Sequence, residues 1–248
     1  MTPPPPIPDD FAATARAALV ATGLQPPRTD EVRLVLVDTA EWQAWLPMAS
    51  GLLQPSEHER AARFRFEPDR ASYVLAHALW RIALSHCLGV DVPTVPLHST
   101  PAGQPCLPGT PLATSLSHSG TAVLIGVGCV AALGVDIERS PPRTALAALI
   151  PTLCTPGEAA LLRALPAPAL EPALLQLWTR KEALLKAFGI GLVQEPAAIA
   201  VPAGAPVAPP AGVAAPACRA HDLPLPAGRI GAWAAPAPAW LGGLHLLS

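Results

Sequence analysis

The sequence predicts a fold that mixes helices and strands. Two stretches, Asp69–Leu88 and Leu174–Phe188, place apolar residues near helical spacing, and each is followed by a glycine. The run Ala122–Val127 is rich in β-branched residues, and Gly134–Glu138 alternates apolar with acidic residues. Both of these patterns are typical of strands. Long helices and short strands in one chain therefore predict the mixed class.

Size and composition exclude several classes of protein. The 248 residues suffice for one large domain or two small ones with a core. Charged residues make up only 14% and the formal net charge is −2, whereas nucleic-acid-binding proteins normally carry a basic excess. The longest apolar run, near 121–135, is short for a membrane span and contains glycines. We therefore expect a soluble protein that binds neither nucleic acid nor membrane.

The cysteines and the N-terminus indicate the compartment. The five cysteines are scattered and form no C-x-x-C pair, so neither a zinc site nor a disulfide framework is expected. A reducing cytoplasm is the predicted location. Residues 1–10 are proline-rich and lack the basic region of a signal peptide, so we expect a disordered tail there.

Four short elements are expected before the first long helix. Ser56–Glu59 reads S-x-x-E, a capping box whose first and last side chains bond free N–H groups at a helix start. The predicted elements are, in order, a helix over Phe11–Thr22, a strand over Arg33–Val37, a short helix over Thr39–Trp45 and a helix from the capping box to Phe64.

The stretch Trp178–Lys186 reads W-T-R-K-E-A-L-L-K and is rich in helix formers, with neither Gly nor Pro. Glu182 and Lys186 are four residues apart and so lie on the same helix face. This position is at the edge of an apolar arc, where side chains can rim a cleft. The alternative is an ordinary i,i+4 salt bridge on a solvated helix. The arc that we expect to be buried contains Leu174, Leu177, Leu184, Leu185 and Phe188.

In the segment G-V-D-I-E, alternation places Val135 and Ile137 on one strand face and Asp136 and Glu138 on the other. Two carboxylates on one face repel each other, and each raises the pKa of the other. A bound divalent cation relieves this repulsion. Oxygen ligands suit magnesium, and the preceding glycine suggests close approach of a ligand. With Glu182 as a third oxygen ligand, the sequence predicts a magnesium site. The alternative is a strand with a polar outer face.

G-V-D-I-E (134–138) followed about forty residues later by W-x-x-K-E-x-x-x-K (178–186) resembles the 4′-phosphopantetheinyl transferases of the Sfp (surfactin) type. The resemblance spans roughly residues 50–195. It implies a pseudo-two-fold α+β fold with an N-terminal subdomain over 11–132 and a C-terminal subdomain over 133–248. Coenzyme A would lie in the cleft between the two halves, and a monomer would suffice.

The activity that the resemblance implies is magnesium-dependent transfer of the 4′-phosphopantetheine arm from coenzyme A to a serine of an acyl or peptidyl carrier protein. Adenosine 3′,5′-bisphosphate would be released, and magnesium on Asp136, Glu138 and Glu182 would clamp the pyrophosphate. Lys186 and His118 would contact phosphoryl oxygens, and Glu182 would accept the serine proton, directly or through water. Carriers of fatty-acid, polyketide and nonribosomal peptide synthesis all present such a serine, and no feature selects one.

Arginines are concentrated on two predicted helices of a chain that is poor in charge. They indicate either solvated helix faces or an anion pocket, because the arginine fork matches phosphate geometry. The family places a basic residue near the first helix and a D-R-x6-H/R-x3-R-like pattern in the second, serving the coenzyme A phosphates. Arg60 and the stretch Asp69–Arg81 resemble this arrangement, which assigns Arg60 and Arg70 to coenzyme A. The five arginines are Arg60, Arg63, Arg65, Arg70 and Arg81.

Gly103, Gln104 and Pro105 resemble the family pattern G-K-P, whose lysine helps to bind coenzyme A near the adenosine 3′-phosphate. The resemblance assigns all three residues to coenzyme A. Gln104 departs from the pattern, since it removes a positive charge but keeps a hydrogen-bond donor. Affinity for coenzyme A would then depend more on the arginines.

Ser115–Ser119 reads S-L-S-H-S and resembles the family segment N-x-S-H-S/T, with serine where asparagine is usual. Small hydroxyl residues beside a turn glycine leave room for a ligand and supply donors. The resemblance assigns Ser117 and His118 to the coenzyme A phosphates, with His118 as a donor to a pyrophosphate oxygen. The alternative is a surface histidine in a polar turn.

Beyond the acidic strand, the sequence predicts helices, then loops, then two strands. The prolines of Pro166–Pro172 are expected to break the chain before the central helix, and Gly189–Leu192 resembles the G-x-G-L turn of the family. The other predicted elements are a helix over Arg143–Ile150, a capping box at Thr155–Glu158 leading into a helix over Ala159–Leu165, loops over Glu195–Pro216 and a closing β-hairpin of Arg229–Ala234 and Leu241–Leu247.

Two other functions are compatible with these residues. The first is a magnesium-dependent phosphoanhydride hydrolase that uses water as the nucleophile, but the arginine helices and S-L-S-H-S favour a bulky nucleotide donor. The second is a non-catalytic relative that binds coenzyme A or a carrier protein. The presence of Lys186 and of all three acidic residues is evidence against this second function. The departures from the family pattern at Gln104 and Ser115 are weak evidence for it.

Overall fold

The computed structural model of the chain describes residues 10–142, 146–191 and 194–247. Most of the predicted tail, the start of the predicted helix at 143–150 and Leu192 of the predicted turn lie outside these ranges. The described chain forms seven α-helices, two four-stranded sheets and one two-stranded ribbon. The predicted α+β class is therefore confirmed.

The helices of the first half follow the predicted order. Asp10 caps the first helix by accepting the backbone N–H of Ala13 at 3.0 Å, and Gly89 ends the fourth in the left-handed conformation with φ of 68°. Their bounds are α1 (Phe11–Ala21), a 3₁₀ segment (Thr39–Trp45) that continues into α2 (Leu46–Ser50), α3 (Pro55–Ala61) and α4 (Glu67–Leu88).

The start of α3 differs from the prediction. The helix begins at Pro55, and the carboxylate of Glu57 accepts the backbone N–H of Gln54 at 2.7 Å. The predicted capping box at Ser56–Glu59 is wrong because Pro55 already provides the first helical residue, for which its fixed φ is suited. The residue that caps the helix is therefore Gln54.

The strands fall into two larger sheets and a ribbon. The sheet orders are β10-β1-β5-β4 for the N-terminal sheet and β6-β9-β8-β7 for the C-terminal sheet, while β2 pairs with β3. The bounds are β1 (Glu31–Asp38), β2 (His98–Ser99), β3 (Pro105–Cys106), β4 (Ala113–Ser119), β5 (Ala122–Gly128), β6 (Gly134–Arg139), β7 (Pro206–Val207), β8 (Cys218–Asp222), β9 (Arg229–Pro236) and β10 (Trp240–Leu247).

His118 lies on strand β4 and not in the polar turn that was one predicted alternative. β4 pairs antiparallel with β5 from Ala113 to Ser119, and only the short link at Gly120 turns. The polar sequence is stable in a strand because its serine hydroxyls bond the neighbouring strand β6. This polar run is therefore a strand whose backbone pairs with β5 and whose serine hydroxyls bond the other sheet.

The predicted closing hairpin is wrong, although both of its strands exist. β9 pairs with β6 on one edge and with β8 on the other, so neither of its edges is free for β10. β10 instead runs parallel to β1 and completes the N-terminal sheet. The predicted division at 132/133 placed this strand in the C-terminal half.

The second half contains α5 (Ile150–Leu153), α6 (Pro156–Arg163) and α7 (Ala167–Phe188). The capping box at Thr155–Glu158 is confirmed, since each of these two side chains accepts the other's backbone N–H, at 3.3 and 2.8 Å. Gly189 ends α7 with φ of 72°. All five predicted residues of the apolar arc are buried.

The predicted break over 166–172 is wrong, because α7 already begins at Ala167 and contains Pro172. Pro168 lies in the first turn, where the missing N–H is not needed. Pro172 removes one further intrahelical donor, but this end of the helix is exposed, so water can bond the freed carbonyl. The 22-residue helix therefore tolerates both prolines.

The two halves pack through the faces of their sheets. α4 covers one face of the N-terminal sheet, and α7 covers one face of the C-terminal sheet. Between the sheets, Leu34 and Leu124 pack against Val135, Ile137 and Trp233. Each half is thus a sheet with a 22-residue helix on its outer face. None of the described helices is both long enough and apolar enough to cross a membrane.

Candidate active site

Strand β6 and helix α7 approach each other closely at Gly134. A Cβ atom built on Gly134 would clash with the backbone oxygen of Ala183 and lie 2.6 Å from the backbone nitrogen of Ala187. The expectation that this glycine marks a ligand is wrong, because the helix backbone itself occupies the space. The contact brings Glu182 and Lys186 of α7 to the acidic face of β6.

A cavity of about 290 Å³ lies between β4, β6 and α7, and we call it the acidic cavity. It brings together the three predicted metal ligands and the three residues predicted to act in the reaction. Val135 and Ile137 point to the opposite side of β6, into the core between the sheets, as predicted. The cavity is lined by Leu116, Ser117, His118, Asp136, Glu138, Trp178, Glu182 and Lys186.

Lys186 forms an ion pair with Asp136. Its Nζ atom lies 2.7 Å from Oδ1 of Asp136 and donates to the backbone oxygen of Val135 at 3.1 Å. Asp136 is only 4% exposed, so the pair is largely shielded from water. Among the ion pairs of the described residues, none joins Lys186 to Glu182. The alternative of an ordinary i,i+4 salt bridge on α7 is therefore wrong.

Two carboxyl groups of the acidic cavity hold protons more tightly than usual. The pKa of Glu182 is raised to about 7, first by burial and then by the negative charge of Asp136, while Lys186 opposes the shift. Burial also raises the pKa of Glu138, against the hydrogen bond that it accepts from Ser119. A carboxyl group with a pKa near 7 can exchange a proton at neutral pH, as a general base must.

The donor set of the acidic cavity fits a divalent cation. Oδ2 of Asp136 is buried and has no hydrogen-bond partner among the described residues, and such an atom is costly without a ligand. Carboxylate oxygens are the ligands that magnesium prefers. Within 10–142, 146–191 and 194–247, however, no three acidic, histidine or cysteine residues are grouped tightly enough to hold a metal as they stand. Asp136, Glu138 and Glu182 are therefore not a preformed cage.

A second cavity, which we call the cleft cavity, measures about 500 Å³. Its walls come from both halves, and His118 and Lys186 line it as well as the acidic cavity. The two cavities therefore adjoin at these two side chains. Of the predicted coenzyme A contacts, those that line the cleft cavity are Arg60, Gly103, Gln104, Pro105, His118 and Lys186.

His118 is exposed at the border of the two cavities. The surrounding walls still exclude enough water to lower its pKa below the usual 6.5, and the positive charge of Lys186 lowers it further. The ring is therefore neutral at neutral pH. A neutral imidazole donates one hydrogen bond and accepts another.

Arg70 and Ser117 are not among the residues that line the cleft cavity. The Arg70 guanidinium donates to Glu67 at 2.7 and 2.8 Å on the exposed start of α4. The Ser117 hydroxyl faces Asp136 at 2.7 Å inside the acidic cavity. The structure therefore places these two predicted coenzyme A contacts apart from the other six.

Glu57, which no sequence motif singles out, binds two residues of the D-R-x6-H/R-x3-R-like stretch beside the cleft cavity. The carboxylate of Glu57 lies 2.9 Å from Nδ1 of His77 and 3.0 Å from the guanidinium of Arg81, which is only 2% exposed. These hydrogen bonds outweigh burial and lower the pKa of Glu57. His77 and Arg81 are four residues apart on α4, but no sequence signal links them to Glu57 on α3.

Gln104 joins the connection between β2 and β3 to the end of α7. Its Nε2 atom donates to the backbone oxygen of Lys186 at 3.1 Å, and a Cβ atom on Gly189 would clash with its side chain. The carbonyls at a helix end lack intrahelical donors, so this bond satisfies one of them. One of the two N–H donors of the Gln104 amide is thus engaged by the protein.

Lys181, the first lysine of the central motif, is buried away from both cavities. Its side chain is 1% exposed, and its Nζ lies 2.8 Å from Glu158 and 2.9 Å from the backbone oxygen of Pro196. It also donates to the backbone oxygen of Ile199. These three acceptors use all three donors of the ammonium group. Lys181 therefore anchors the segment after α7.

Two protein-family models match consecutive parts of the chain. Residues 39–129 match the model described as 4′-phosphopantetheinyl transferase, N-terminal. Residues 132–209 match the model of the 4′-phosphopantetheinyl transferase superfamily. The border between the matches falls in the connection from β5 to β6.

Named relatives agree with these matches. The 4′-phosphopantetheinyl transferase HetI of Nostoc sp. is 32% identical over 171 residues, which cover 67% of this chain and 72% of that protein. A phosphopantetheinyl transferase of Thraustochytrium sp. is 35% identical over 156 residues, 56% of this chain and 54% of that protein. The chain therefore belongs to the 4′-phosphopantetheinyl transferase family.

Proposed function

We propose that this chain is an Sfp-type transferase that moves the 4′-phosphopantetheine arm from coenzyme A to a serine of a carrier protein, with magnesium. The observation that carries the proposal is that His118 and Lys186 line both the cleft cavity and the acidic cavity. An anionic substrate in the cleft cavity would therefore meet the positive charge of Lys186 and a hydrogen-bond donor, His118, where this cavity adjoins the acidic cavity.

The cleft cavity would hold the coenzyme A phosphates. Arg60 and Lys186 supply positive charge on its walls, and His118 supplies a neutral donor. Gly103 and Pro105 shape the wall beside Gln104. Arg70 does not line this cavity, and its guanidinium already binds Glu67.

Asp136, Glu138 and Glu182 would hold magnesium in the acidic cavity. When bound, the ion supplies neutralisation of the pyrophosphate and of the charge that grows on the leaving group. The support from this chain is Oδ2 of Asp136, which has no partner among the described residues, and the burial and repulsion that raise the pKa of Glu182 and Glu138. Lys186 already holds the other oxygen of Asp136, which fixes that carboxylate.

In the proposed step, the oxygen of the carrier serine forms a bond to the phosphorus that bears the pantetheine arm. The phosphorus–oxygen bond of the pyrophosphate breaks, and adenosine 3′,5′-bisphosphate leaves. The serine proton passes to Glu182, directly or through water, since this carboxylate lines the cavity beside Lys186 and His118. Lys186 and His118 would stabilise the charge on the phosphoryl oxygens.

The test is the intact mass of a carrier protein after incubation with coenzyme A, Mg²⁺ and the purified chain. We expect the carrier to gain the phosphopantetheine mass, and EDTA or Asp136→Ala to abolish the gain. Glu67→Gln is the matched control, since Glu67 is an exposed carboxylate outside both cavities. It should retain the parental rate.

The other outcomes distinguish the two alternative functions. Hydrolysed coenzyme A with an unmodified carrier would indicate a hydrolase, and intact coenzyme A with an unmodified carrier would indicate a binding protein. Either result with every carrier would overturn the proposal. Fatty-acid, polyketide and nonribosomal peptide carriers, compared by kcat/KM, would identify the preferred acceptor.

A further inference from the structure

Three serines of strand β4 bond the backbone of strand β6, which belongs to the other sheet. Every second N–H group of a strand points to the same edge. On the edge of β6 that faces β4, three such N–H groups bond serine hydroxyls, where a neighbouring strand would normally supply carbonyl oxygens. We call this contact the serine seam. The bonds run from the N–H groups of Val135, Ile137 and Arg139 to the Oγ atoms of Ser115, Ser117 and Ser119, at 3.1, 3.3 and 3.2 Å.

Two of the three hydroxyls also bond a carboxylate of the acidic cavity. Oγ of Ser117 lies 2.7 Å from Oδ1 of Asp136, and Oγ of Ser119 lies 2.7 Å from Oε2 of Glu138. An ionised carboxylate only accepts hydrogen bonds, and a serine has a single hydroxyl hydrogen. Each serine therefore accepts from the β6 backbone and donates to the acid that precedes that N–H group.

We propose that Ser117 and Ser119 are positioning residues, which fix the Asp136 and Glu138 carboxylates for the transfer. This inference rests on the proposed function of those two acids. It replaces the expectation that Ser117 contacts coenzyme A, because its only hydrogen is given to Asp136. The same serines thus bond the two halves to each other and hold two carboxylates of the acidic cavity in place.

The arrangement leaves one oxygen of Asp136 for a cation. Ser117 and Lys186 both donate to Oδ1, at 2.7 Å each, whereas Oδ2 has no partner among the described residues. With Oδ1 held by two donors from different elements, the carboxylate cannot rotate without losing both bonds. Groups that orient a metal ligand in this way commonly affect metal affinity or activity by about 10–100-fold.

Ser115 provides a matched control within the same strand. It makes the same kind of bond to the β6 backbone, at 3.1 Å, but none of the described carboxylates accepts a hydrogen bond from its hydroxyl. Ser115 also lines the cleft cavity, so Ser115→Ala should weaken the seam and can change KM for coenzyme A, but it frees neither Asp136 nor Glu138. Ser117→Ala and Ser119→Ala should weaken the seam and also free a carboxylate, and Ser119→Thr should retain the hydroxyl at the half-buried end.

The experiment compares these four variants with the parent. The measurements are the melting temperature, kcat and KM for coenzyme A with Mg²⁺, and the affinity for Mn²⁺ alone by electron paramagnetic resonance. We expect similar losses of melting temperature in the three alanine variants. In Ser117→Ala and Ser119→Ala, kcat and Mn²⁺ affinity should each be lower than in Ser115→Ala by about tenfold or more. KM for coenzyme A should change little in these two variants. Ser119→Thr should behave like the parent.

The inference is overturned if kcat and Mn²⁺ affinity of Ser117→Ala and Ser119→Ala stay within about twofold of Ser115→Ala while the parent transfers normally. The serines would then only join the halves. A parent that neither transfers the arm nor binds Mn²⁺ would instead refute the proposed function. Should Ser117→Ala fail to fold, the comparison of Ser119→Ala with Ser119→Thr decides.

Discussion

The two lysines of the central motif lie in opposite surroundings although they are only five residues apart. The Lys186 side chain is 28% exposed and faces Asp136 at the border of the two cavities. Lys181 is 1% exposed and binds Glu158 together with the carbonyls of Pro196 and Ile199. Of these two motif lysines, we therefore assign a chemical role to Lys186 and a structural one to Lys181.

Replacing Lys181 by methionine should destabilise the fold. The variant leaves the largely buried Glu158 carboxylate without its ion-pair partner, and breaking a buried pair commonly costs about 3–5 kcal/mol. The measurement is the free energy of unfolding in urea. Arg180→Met is the control, because its pair with Asp222 is partly exposed at 3.4 Å and should be worth at most about 1 kcal/mol. Equal losses in both variants would contradict the assignment.

The stabilising effect of Glu158 should depend on pH in a defined direction. Its hydrogen bonds from Lys181 and from backbone N–H groups outweigh burial and hold its pKa below the usual 4.5. A carboxyl group with a depressed folded-state pKa stabilises the fold above its unfolded pKa and loses this effect as the pH falls through the folded value. The stability difference between the parent and Glu158→Gln should therefore be large at pH 7 and shrink below about pH 4.5. A difference independent of pH would contradict this account.

At the scale of whole elements, the site depends on how closely α7 lies against β6. Gly134→Ala should force the two backbones apart, since the added Cβ atom meets the backbone oxygen of Ala183 and not a movable side chain. Overpacking of this kind typically costs about 1–3 kcal/mol. We expect a lower melting temperature and a fall in kcat, because Lys186 and Glu182 move with the helix.

Gly157→Ala is the control for this prediction. Gly157 lies in the first turn of α6, and a Cβ atom there would meet nothing within 4 Å. Alanine is the better helix former, so this variant should be neutral or up to about 1 kcal/mol more stable. If Gly134→Ala were as stable and active as Gly157→Ala, the close packing would be irrelevant to the site.

Local patterns predicted most helices and most strands, but not which strands pair. The arc around Leu184 and the alternation of Asp136 and Glu138 follow directly from the helical and strand periods. The apparent hairpin of β9 and β10 failed because both edges of β9 are taken by distant strands. The sequence predicts no strand at β4, because its serine hydroxyls find their partners on β6 of the other sheet.

At the scale of the molecule, the site is assembled from two halves that contact through the sheets and the serine seam. The sequence motifs identified the acids, His118 and Lys186, since each motif is local. The Lys186–Asp136 pair and the bond of Gln104 to the end of α7 span 50 and 82 residues. The first contact lies within the C-terminal half, and the second joins the two halves. Both depend on tertiary packing, so no local pattern predicts them.

The most direct test of the central claim is kcat for Glu182→Gln, measured beside its melting temperature. The substitution keeps the shape of the side chain but removes its negative charge and its capacity as a base. Glu171→Gln is the control, because Glu171 lies on the same helix and lines neither cavity. Our account predicts that kcat falls by about 10²–10⁴ in Glu182→Gln alone, with melting temperatures nearly unchanged. Transfer at the parental rate by Glu182→Gln would contradict the account, and α7 would then be only a scaffold.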